Sequence, residues 1–287
     1  MNYSNTTVAI CYDFDGTLAP GNMQEHSYIP NLGIANADFW NQANQFAKQN
    51  DMNEILAYMW LILEKSRQKN LPIRKVDFVN HGKNIPLYPG VDGWFERINN
   101  YGKTLGLDIK HFIISSGLRE MVEGTIIAHN FSFVFASGYY YNEDGIAEWP
   151  SVGIDYTGKT QFLFRVNKGI FNFWDSSIIN KYMPENLKPF PFERFIYIGD
   201  GETDVPAMKM VNYQGGYTIA VFDSQKSVNR EGRLAKDVSL ELLRQGRARY
   251  VAPADYRDNS DLDKLLTNIL NDIRFGQNLK EHNGKFL

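Results

Sequence analysis

Residues 8–17 read Val8-Ala9-Ile10-Cys11-Tyr12-Asp13-Phe14-Asp15-Gly16-Thr17, an apolar run that stops at an acidic turn containing glycine. A short apolar run bounded in this way is typical of a central strand that is buried on both faces. Residues 195–204 repeat the arrangement, because Phe195-Ile196-Tyr197-Ile198 precedes Gly199-Asp200-Gly201-Glu202-Thr203-Asp204. Two acidic turns, each placed after a buried strand, therefore define the part of the sequence that decides the fold.

A third apolar run, at 111–114, ends in Ser115-Ser116-Gly117. Strand and helix patterns alternate from residue 88 onward, which favours a parallel sheet with helices on both faces. Strands are predicted at 8–12, 111–114, 131–135, 138–141, 195–198, 217–222 and 249–252, and helices at 91–100, 118–129, 168–182, 207–211 and 261–275. Ligands of open α/β sheets bind beyond the carboxyl ends of the strands, so the three turns are expected to lie together.

The segment between the first and second turns differs in its pattern of apolar residues, since residues 37–82 show helical spacing of apolar side chains and few strand signals. The predicted fold class is therefore α/β, with a doubly wound, Rossmann-like core and an inserted helical domain. The predicted boundaries are 1–19 and 89–287 for the catalytic core and 20–88 for the insertion, which we call the cap segment.

Four carboxylates, those of Asp13, Asp15, Asp200 and Asp204, would repel one another at one edge of the sheet unless a cation neutralised them. A hard divalent ion with oxygen ligands meets this need, and Mg²⁺ fits best because it retains waters and meets substrate phosphate. Asp-rich turns also cap helices, but a calcium loop and a dinucleotide fingerprint both fail on spacing. The sequence therefore predicts a magnesium site.

The three turns resemble motifs of the haloacid dehalogenase superfamily of phosphotransferases. Residues 10–17 resemble its first motif, 112–115 its second, and 199–204 its fourth. The third motif is a lysine near a helix start, for which Lys168 before Gly169 is chosen and Lys159 is the rival. The resemblance covers the chain except for the cap segment.

The resemblance implies a role for each matching residue. Asp13 would attack phosphorus and form an aspartyl-phosphate, while Asp15 would protonate the leaving oxygen and later activate water. Mg²⁺ would be held by Asp13, the main-chain carbonyl of Asp15 and Asp200, with support from Asp204. Ser115 and Lys168 would hold the phosphoryl oxygens.

The resemblance also limits the class of substrate that is expected. Asp15 favours phosphate over halide substrates, because a halide leaves without a proton. Residues 115–119 resemble the phosphoserine-phosphatase-like branch, in which Ser116, Gly117 and Arg119 would face the substrate. A cap segment in this position matches a helical cap that closes over a small phosphorylated metabolite. The implied activity is that of a phosphoric monoester hydrolase, and a phosphomutase or other phosphotransferase would use the same residues.

Two further alternatives come from different classes of protein. Residues 153–160 match a phosphate-loop pattern nominally, but such a loop must follow a buried strand and open a helix, whereas residues 161–166 alternate like a strand. A metal-binding module without activity is the other alternative, and it is disfavoured because nucleophile, acid and metal ligand are all present.

The composition of the chain limits which binding partners and which cellular location are expected. The net charge of −3 provides no basic surface for nucleic acid, and the longest apolar run is too short to cross a membrane. A single cysteine, Cys11, lies inside the first strand, which is typical of an inert thiol in a reducing cytoplasm. The expected protein is cytoplasmic and binds neither nucleic acid nor membrane; the sequence makes no prediction of its oligomeric state.

Overall fold

The computed structural model describes residues 6–225 and 234–276 of the chain. Its strands are β1 (Thr7–Tyr12), β2 (Asp108–Leu118), β3 (Phe131–Tyr141), β4 (Ala147–Val152), β5 (Phe195–Gly199), β6 (Tyr217–Phe222) and β7 (Tyr250–Pro253). They form one sheet in the order β4-β3-β2-β1-β5-β6-β7. Neighbouring strands are parallel, except that β4 runs antiparallel to β3 at one edge. The predicted α/β class with a Rossmann-like parallel core is confirmed.

Helices cover both faces of this sheet. The α-helices are α1 (Tyr28–Asn31), α2 (Asn36–Gln49), α3 (Glu54–Gln68), α4 (Lys75–Gly82), α5 (Val91–Thr104), α6 (Arg119–Gly124), α7 (Lys159–Lys168), α8 (Ser176–Ile179), α9 (Val205–Tyr213), α10 (Ala235–Arg244) and α11 (Asp261–Phe275). Short 3-10 helices occupy Met23–Glu25, Ala128–Asn130, Glu185–Leu187, Phe192–Arg194 and Glu202–Asp204. Within the described residues, every helix is too short or too polar to cross a bilayer.

Strand β1 lies at the centre of the sheet and is buried along its whole length. Its alternate side chains enter two separate apolar cores, because successive residues of a strand point to opposite faces. Ile10 packs in one core with Trp94 of α5, and Cys11 packs in the other with Phe162 of α7. The strand that carries the first acidic turn is therefore fixed from both sides.

The cap segment contains α1 to α4. Helix α4 crosses α6 closely, since a Cβ on Gly82 would lie 2.1 Å from the Met121 carbonyl oxygen and one on Gly124 would lie 2.0 Å from that of Val79. These distances are shorter than any side chain allows, so only glycine permits the crossing. The division of the chain at residues 20 and 88 into two domains stays a prediction.

The structure differs from the prediction in the region 159–182. Residues 161–166, expected to alternate as a strand, belong to α7, and the helix expected over 168–182 is reduced to the four residues of α8. Phe162, Leu163 and Val166 are buried whereas Phe164 is 38% exposed. This is helical spacing, and the apolar but exposed Phe164 produced the misleading alternation.

Candidate active site

The two acidic turns follow β1 and β5, and Ser115-Ser116-Gly117 lies in the last part of β2; these three strands are adjacent in the sheet. The Asp13 main-chain nitrogen donates to the Ile198 carbonyl 2.9 Å away, so the β1–β5 ladder continues into the first turn. Because parallel strands end at the same edge, the acidic turns after β1 and β5 lie side by side. Helix α7 brings a lysine to the same point.

Asp13 is held by contacts at both carboxylate oxygens. Its Oδ1 accepts a hydrogen bond from the Phe14 nitrogen at 2.8 Å, and its Oδ2 lies 3.0 Å from Nζ of Lys159. Burial raises the pKa of Asp13 to about 6; the Lys159 charge opposes the rise and the Asp204 charge adds to it. Asp13 is thus a fixed, poorly hydrated carboxylate with one oxygen aimed at a buried ammonium.

Asp204 is fully buried and joins several groups. Its Oδ1 accepts hydrogen bonds from Lys159 Nζ at 2.7 Å and from the Tyr197 hydroxyl at 2.6 Å, while its Oδ2 accepts one from the Asp200 nitrogen at 3.1 Å. Burial lowers the pKa of Lys159, but the charges of Asp13 and Asp204 outweigh this effect and raise it overall. Lys159 therefore stays protonated, and Asp204 positions both Lys159 and Asp200.

Asp13, Asp200 and Asp204 each place one carboxylate oxygen within 4.8 Å of the others. Three carboxylates face one ammonium here, so an uncompensated negative charge remains. An all-oxygen donor set of this kind suits a hard divalent cation such as Mg²⁺. Since both oxygens of Asp204 already accept hydrogen bonds, Asp13 and Asp200 are the better candidates for direct ligands.

Gly16 makes room for Asp200. Its φ of +74° lies in the left-handed region, and a Cβ at this position would lie 2.1 Å from Asp200 Oδ2. Glycine is therefore required both by the backbone conformation and by the close approach of the carboxylate.

Asp15 points toward the last part of β2 and toward the cap segment. Its Oδ1 accepts a hydrogen bond from the Met23 nitrogen at 2.9 Å, and its Oδ2 would lie 3.0 Å from a Cβ on Gly117. Burial and the neighbouring Asp13 charge raise the pKa of Asp15 well above its ordinary value. A raised pKa favours the protonated form of a carboxyl group, which is the form that acts as a general acid.

The segment Ser115-Ser116-Gly117, expected as a turn after its strand, lies within the last part of β2, where the pairing with β3 shifts register. Ser115 is buried, and its Oγ accepts a hydrogen bond from the Gly117 nitrogen at 3.0 Å. The Ser116 carbonyl accepts one from the hydroxyl of Tyr58 in α3 at 2.8 Å, whereas the buried Ser116 Oγ has no partner among the described residues.

The choice of Lys168 as the lysine of the site is wrong. Its Nζ donates to the main-chain carbonyls of Ile179 and of Lys181, the latter at 2.7 Å, and so fastens the end of α7 to the segment beyond α8. Lys159, at the opposite end of α7, contacts Asp13 instead. One helix thus carries both candidates, and its direction decides between them.

The expectation that Arg119 faces the substrate also disagrees with the structure. The Arg119 guanidinium pairs with Glu120 at 3.3 Å and with Glu123 at 3.9 Å, and it lies 5.1 Å from the centre of the Phe173 ring. None of these partners belongs to the acidic turns. The first residue of α6 therefore directs its side chain toward β3, where a Cβ on Gly138 would lie 2.8 Å from Arg119 Nη2.

The nominal phosphate loop at 153–160 does open a helix, contrary to expectation. However, β4 before it is an antiparallel edge strand, the Gly158 nitrogen already donates to Asp155 Oδ1, and Lys159 Nζ is bound by Asp13 and Asp204. A nucleotide-binding loop needs free main-chain N–H groups and a free lysine for the phosphates. The segment delivers Lys159 to the carboxylates instead.

Two residues at the site were not predicted, Tyr197 and Tyr58. Tyr197 is a hydroxyl-bearing side chain in an otherwise apolar strand two residues before Gly199, and this polar atom in a buried strand was the available signal. Tyr58 had no comparable signal, because the sequence of a helix does not show which core turn it will meet.

No family model matches the sequence. An uncharacterized protein of Borreliella burgdorferi is 29% identical, and the alignment covers 74% of this chain and 81% of that protein.

Among solved structures, a haloacid dehalogenase family hydrolase of Salmonella enterica serovar Typhi superposes with a TM-score of 0.54 at 15% identity, covering 93% of this chain and 71% of that one. A phosphoserine phosphatase holding an analogue of its phospho-aspartyl intermediate superposes with a TM-score of 0.53 at 15% identity, and the match covers 92% of this chain and 99% of that one. The chain has the haloacid dehalogenase fold, in its phosphoserine-phosphatase-like form.

Proposed function

We propose that the protein is a magnesium-dependent phosphatase that hydrolyses a small phosphomonoester through an aspartyl-phosphate on Asp13. The contact that carries the proposal is the 3.0 Å approach of Lys159 Nζ to Asp13 Oδ2 beside the carboxylates of Asp200 and Asp204. A nucleophile, a cation for phosphoryl oxygens and a divalent-metal donor set thus share one sheet edge. The similarity of fold to a phosphatase with a phospho-aspartyl analogue supports the same conclusion.

In this proposal an Asp13 oxygen forms the bond to phosphorus, and the bond from phosphorus to the leaving oxygen breaks. Asp15, whose protonated form is favoured by its raised pKa, donates its proton to that leaving oxygen. Deprotonated Asp15 then takes a proton from the water that hydrolyses the aspartyl-phosphate. Lys159 and the Ser115 hydroxyl hold the oxygens of the transferring group.

Asp13, the main-chain carbonyl of Asp15 and Asp200 would hold Mg²⁺, and Asp204 would orient Asp200. The ion would neutralise charge on the transferring phosphoryl group and on the nucleophile. Lys159 cannot replace it, because its single positive charge already faces two buried carboxylates.

The substrate class follows from the surroundings of Asp15. Met23 and Tyr58, both from the cap segment, contact the first turn and the end of β2, respectively. In this proposal the leaving group fits between the cap segment and the ends of β1 and β2, which favours a small metabolite over a macromolecule. A cytoplasmic location is part of the proposal and is supported by the buried, reduced Cys11.

The test is phosphate release from a panel of phosphomonoesters with Mg²⁺, comprising phosphoserine, sugar phosphates, nucleoside monophosphates and phosphocholine. Asp13→Asn should abolish turnover, whereas Asp144→Asn, a change at an exposed loop carboxylate, should leave it unaltered. Turnover retained in Asp13→Asn would exclude the covalent route. Transfer of phosphate to an added alcohol, in place of release, would identify a phosphotransferase.

A further inference from the structure

The start of helix α3 in the cap segment meets the loop that precedes Lys159. Asn53 Nδ2 donates to Asp155 Oδ2 at 3.0 Å, and burial together with the charge of the next residue, Glu54, raises the pKa of Tyr156. Leu56 packs on the same loop, since a Cβ on Gly153 would lie 2.9 Å from its Cδ2. Several residues at the start of one helix thus contact several residues of one loop.

Asp155 also builds the turn that presents Lys159. Its Oδ1 accepts hydrogen bonds from the Gly158 nitrogen and from the Thr157 hydroxyl at 3.1 Å, and its carbonyl accepts one from the Lys159 nitrogen at 3.1 Å. Gly158 permits this turn, because a Cβ there would lie 2.8 Å from Asp155 Oδ1. Lys159 is the first residue of α7, so the turn at 155–158 sets the position of its main chain.

We propose that Asp155 is a positioning residue that couples closure of the cap segment to the placement of Lys159, through its hydrogen bond with Asn53. One oxygen of Asp155 shapes the turn and the other is held by α3, so the two structures share a single side chain. The inference rests on the proposed function, because it assigns Lys159 a role in phosphoryl transfer.

The location of the contact suits a reversible closure. Asn53 is exposed and Asp155 is half-buried, whereas Lys159 is fully buried. A hydrogen bond at the rim can break and re-form in water at small net cost, because water replaces either partner. The bonds from Asp155 Oδ1 and its carbonyl to the turn can persist when α3 moves away, so opening would loosen the turn without dismantling it.

The chain allows the direction of the hydrogen bond to be reversed. Asn53 Oδ1 also caps α3 by accepting from the nitrogens of Ile55 at 3.0 Å and Leu56 at 3.3 Å, and aspartate caps a helix equally well. Asn53→Asp therefore retains the cap but sets two carboxylates against each other. Asp155→Asn retains an oxygen for Gly158 but removes the acceptor for Asn53. The double variant N53D/D155N restores one donor and one acceptor.

The experiment compares wild type, both single variants and the double variant by steady-state kinetics with Mg²⁺ and by hydrogen exchange of the amides at 156–159. For N53D and for D155N we expect kcat to fall about 3- to 10-fold with a smaller change in KM, and these amides to exchange faster; the double variant should recover both properties. Thermal unfolding should be similar in all four proteins, since the cap of α3 and the turn at 155–158 are both retained.

Several outcomes would overturn the inference. The inference fails if both single variants show wild-type kinetics and wild-type hydrogen exchange. It also fails if the losses of the two single variants add up in the double variant, or if KM changes and kcat does not. If wild type hydrolyses no phosphomonoester, the proposed function fails, and so does a role for Asp155 in catalysis. The exchange measurements would in that case still report whether Asn53 orders the turn, which separates the two failures.

Discussion

Lys159 Nζ lies 2.7 Å from Asp204 Oδ1, and both side chains are fully buried. Removing one member of a buried ion pair leaves the other charged and without compensation, which is costly. Here the lysine also contacts Asp13, so it compensates two carboxylates at once. Lys159 therefore contributes to the folding of the site as well as to its chemistry.

Lys159→Ala should lower kcat/KM for any phosphomonoester substrate by roughly 10²–10³, the typical cost of losing one group that stabilises transition-state charge. Lys168→Ala is the matched control at the other end of α7, and it should retain wild-type turnover because Lys168 donates to main-chain carbonyls of the 179–181 segment and not to the carboxylates of the site. Steady-state kinetics on both variants provides the check. Equal losses in the two would refute the assignment.

Asp15→Asn should slow turnover in a manner that depends on the leaving group. An alkyl phosphate needs a proton on its leaving oxygen, and loss of a general acid costs about 10²–10⁴. The loss should be smaller for p-nitrophenyl phosphate, whose phenolate leaves unprotonated. The ratio of kcat values for the two substrates, measured in wild type and variant, tests the role; an unchanged ratio would remove Asp15 from proton transfer.

Gly16→Ala should weaken Mg²⁺ binding, because the added methyl group would displace the Asp200 carboxylate. Gly106→Ala is a control for backbone strain, since Gly106 has a φ of +69° but no atom within 4 Å of a Cβ. Isothermal titration with Mg²⁺ should show a clear loss of affinity in the first variant alone. Similar affinities in the two variants would indicate that Asp200 is no ligand.

His111 should make the fold sensitive to acid. Burial lowers the pKa of His111 to about 3, and the ring is held neutral between the Tyr12 hydroxyl and Asn99 Oδ1, each at 3.0 Å. Below pH ~6.5 the unfolded chain binds a proton that the folded chain excludes, so the free energy of unfolding falls by up to about 1.4 kcal/mol per pH unit.

Urea unfolding between pH 7 and pH 4 measures this dependence. His111→Gln retains hydrogen-bonding capacity but cannot titrate, so its stability should fall less steeply with acid than that of wild type. Parallel curves for the two proteins would contradict a proton-excluding role for His111.

Strands and helices that are bounded by clear start and stop residues could be predicted from the sequence. The bounds of β6 and α11 agree with the prediction to the residue, because each combines a strong apolar pattern with a clear start or stop. The acidic turns were predictable for the same reason, since their position after buried strands determines which edge of the sheet they share.

The choice between two lysines was missed because the role of one glycine was misjudged. Gly169 was placed near the start of the helix predicted at 168–182, but it ends α7 with a φ of +68°, the left-handed conformation in which glycine commonly terminates helices. The orientation of Arg119 had no sequence signal, because it depends on where Phe173 and Glu123 come to lie. Contacts between distant segments, such as Asn53 with Asp155, are determined by packing alone.

The crossing of α4 and α6 at Gly82 and Gly124 limits which segments of the chain could be exchanged with those of a related protein. A chimera that replaces the whole cap segment would bring a foreign helix against Met121, and any side chain at the crossing would push the two helices apart. An exchange that ends within 69–74, before α4, leaves this crossing intact. Helices α2 and α3 are therefore the part to exchange when the aim is to alter which leaving groups are accepted. Helix α4 must come from the same protein as the sheet and α6.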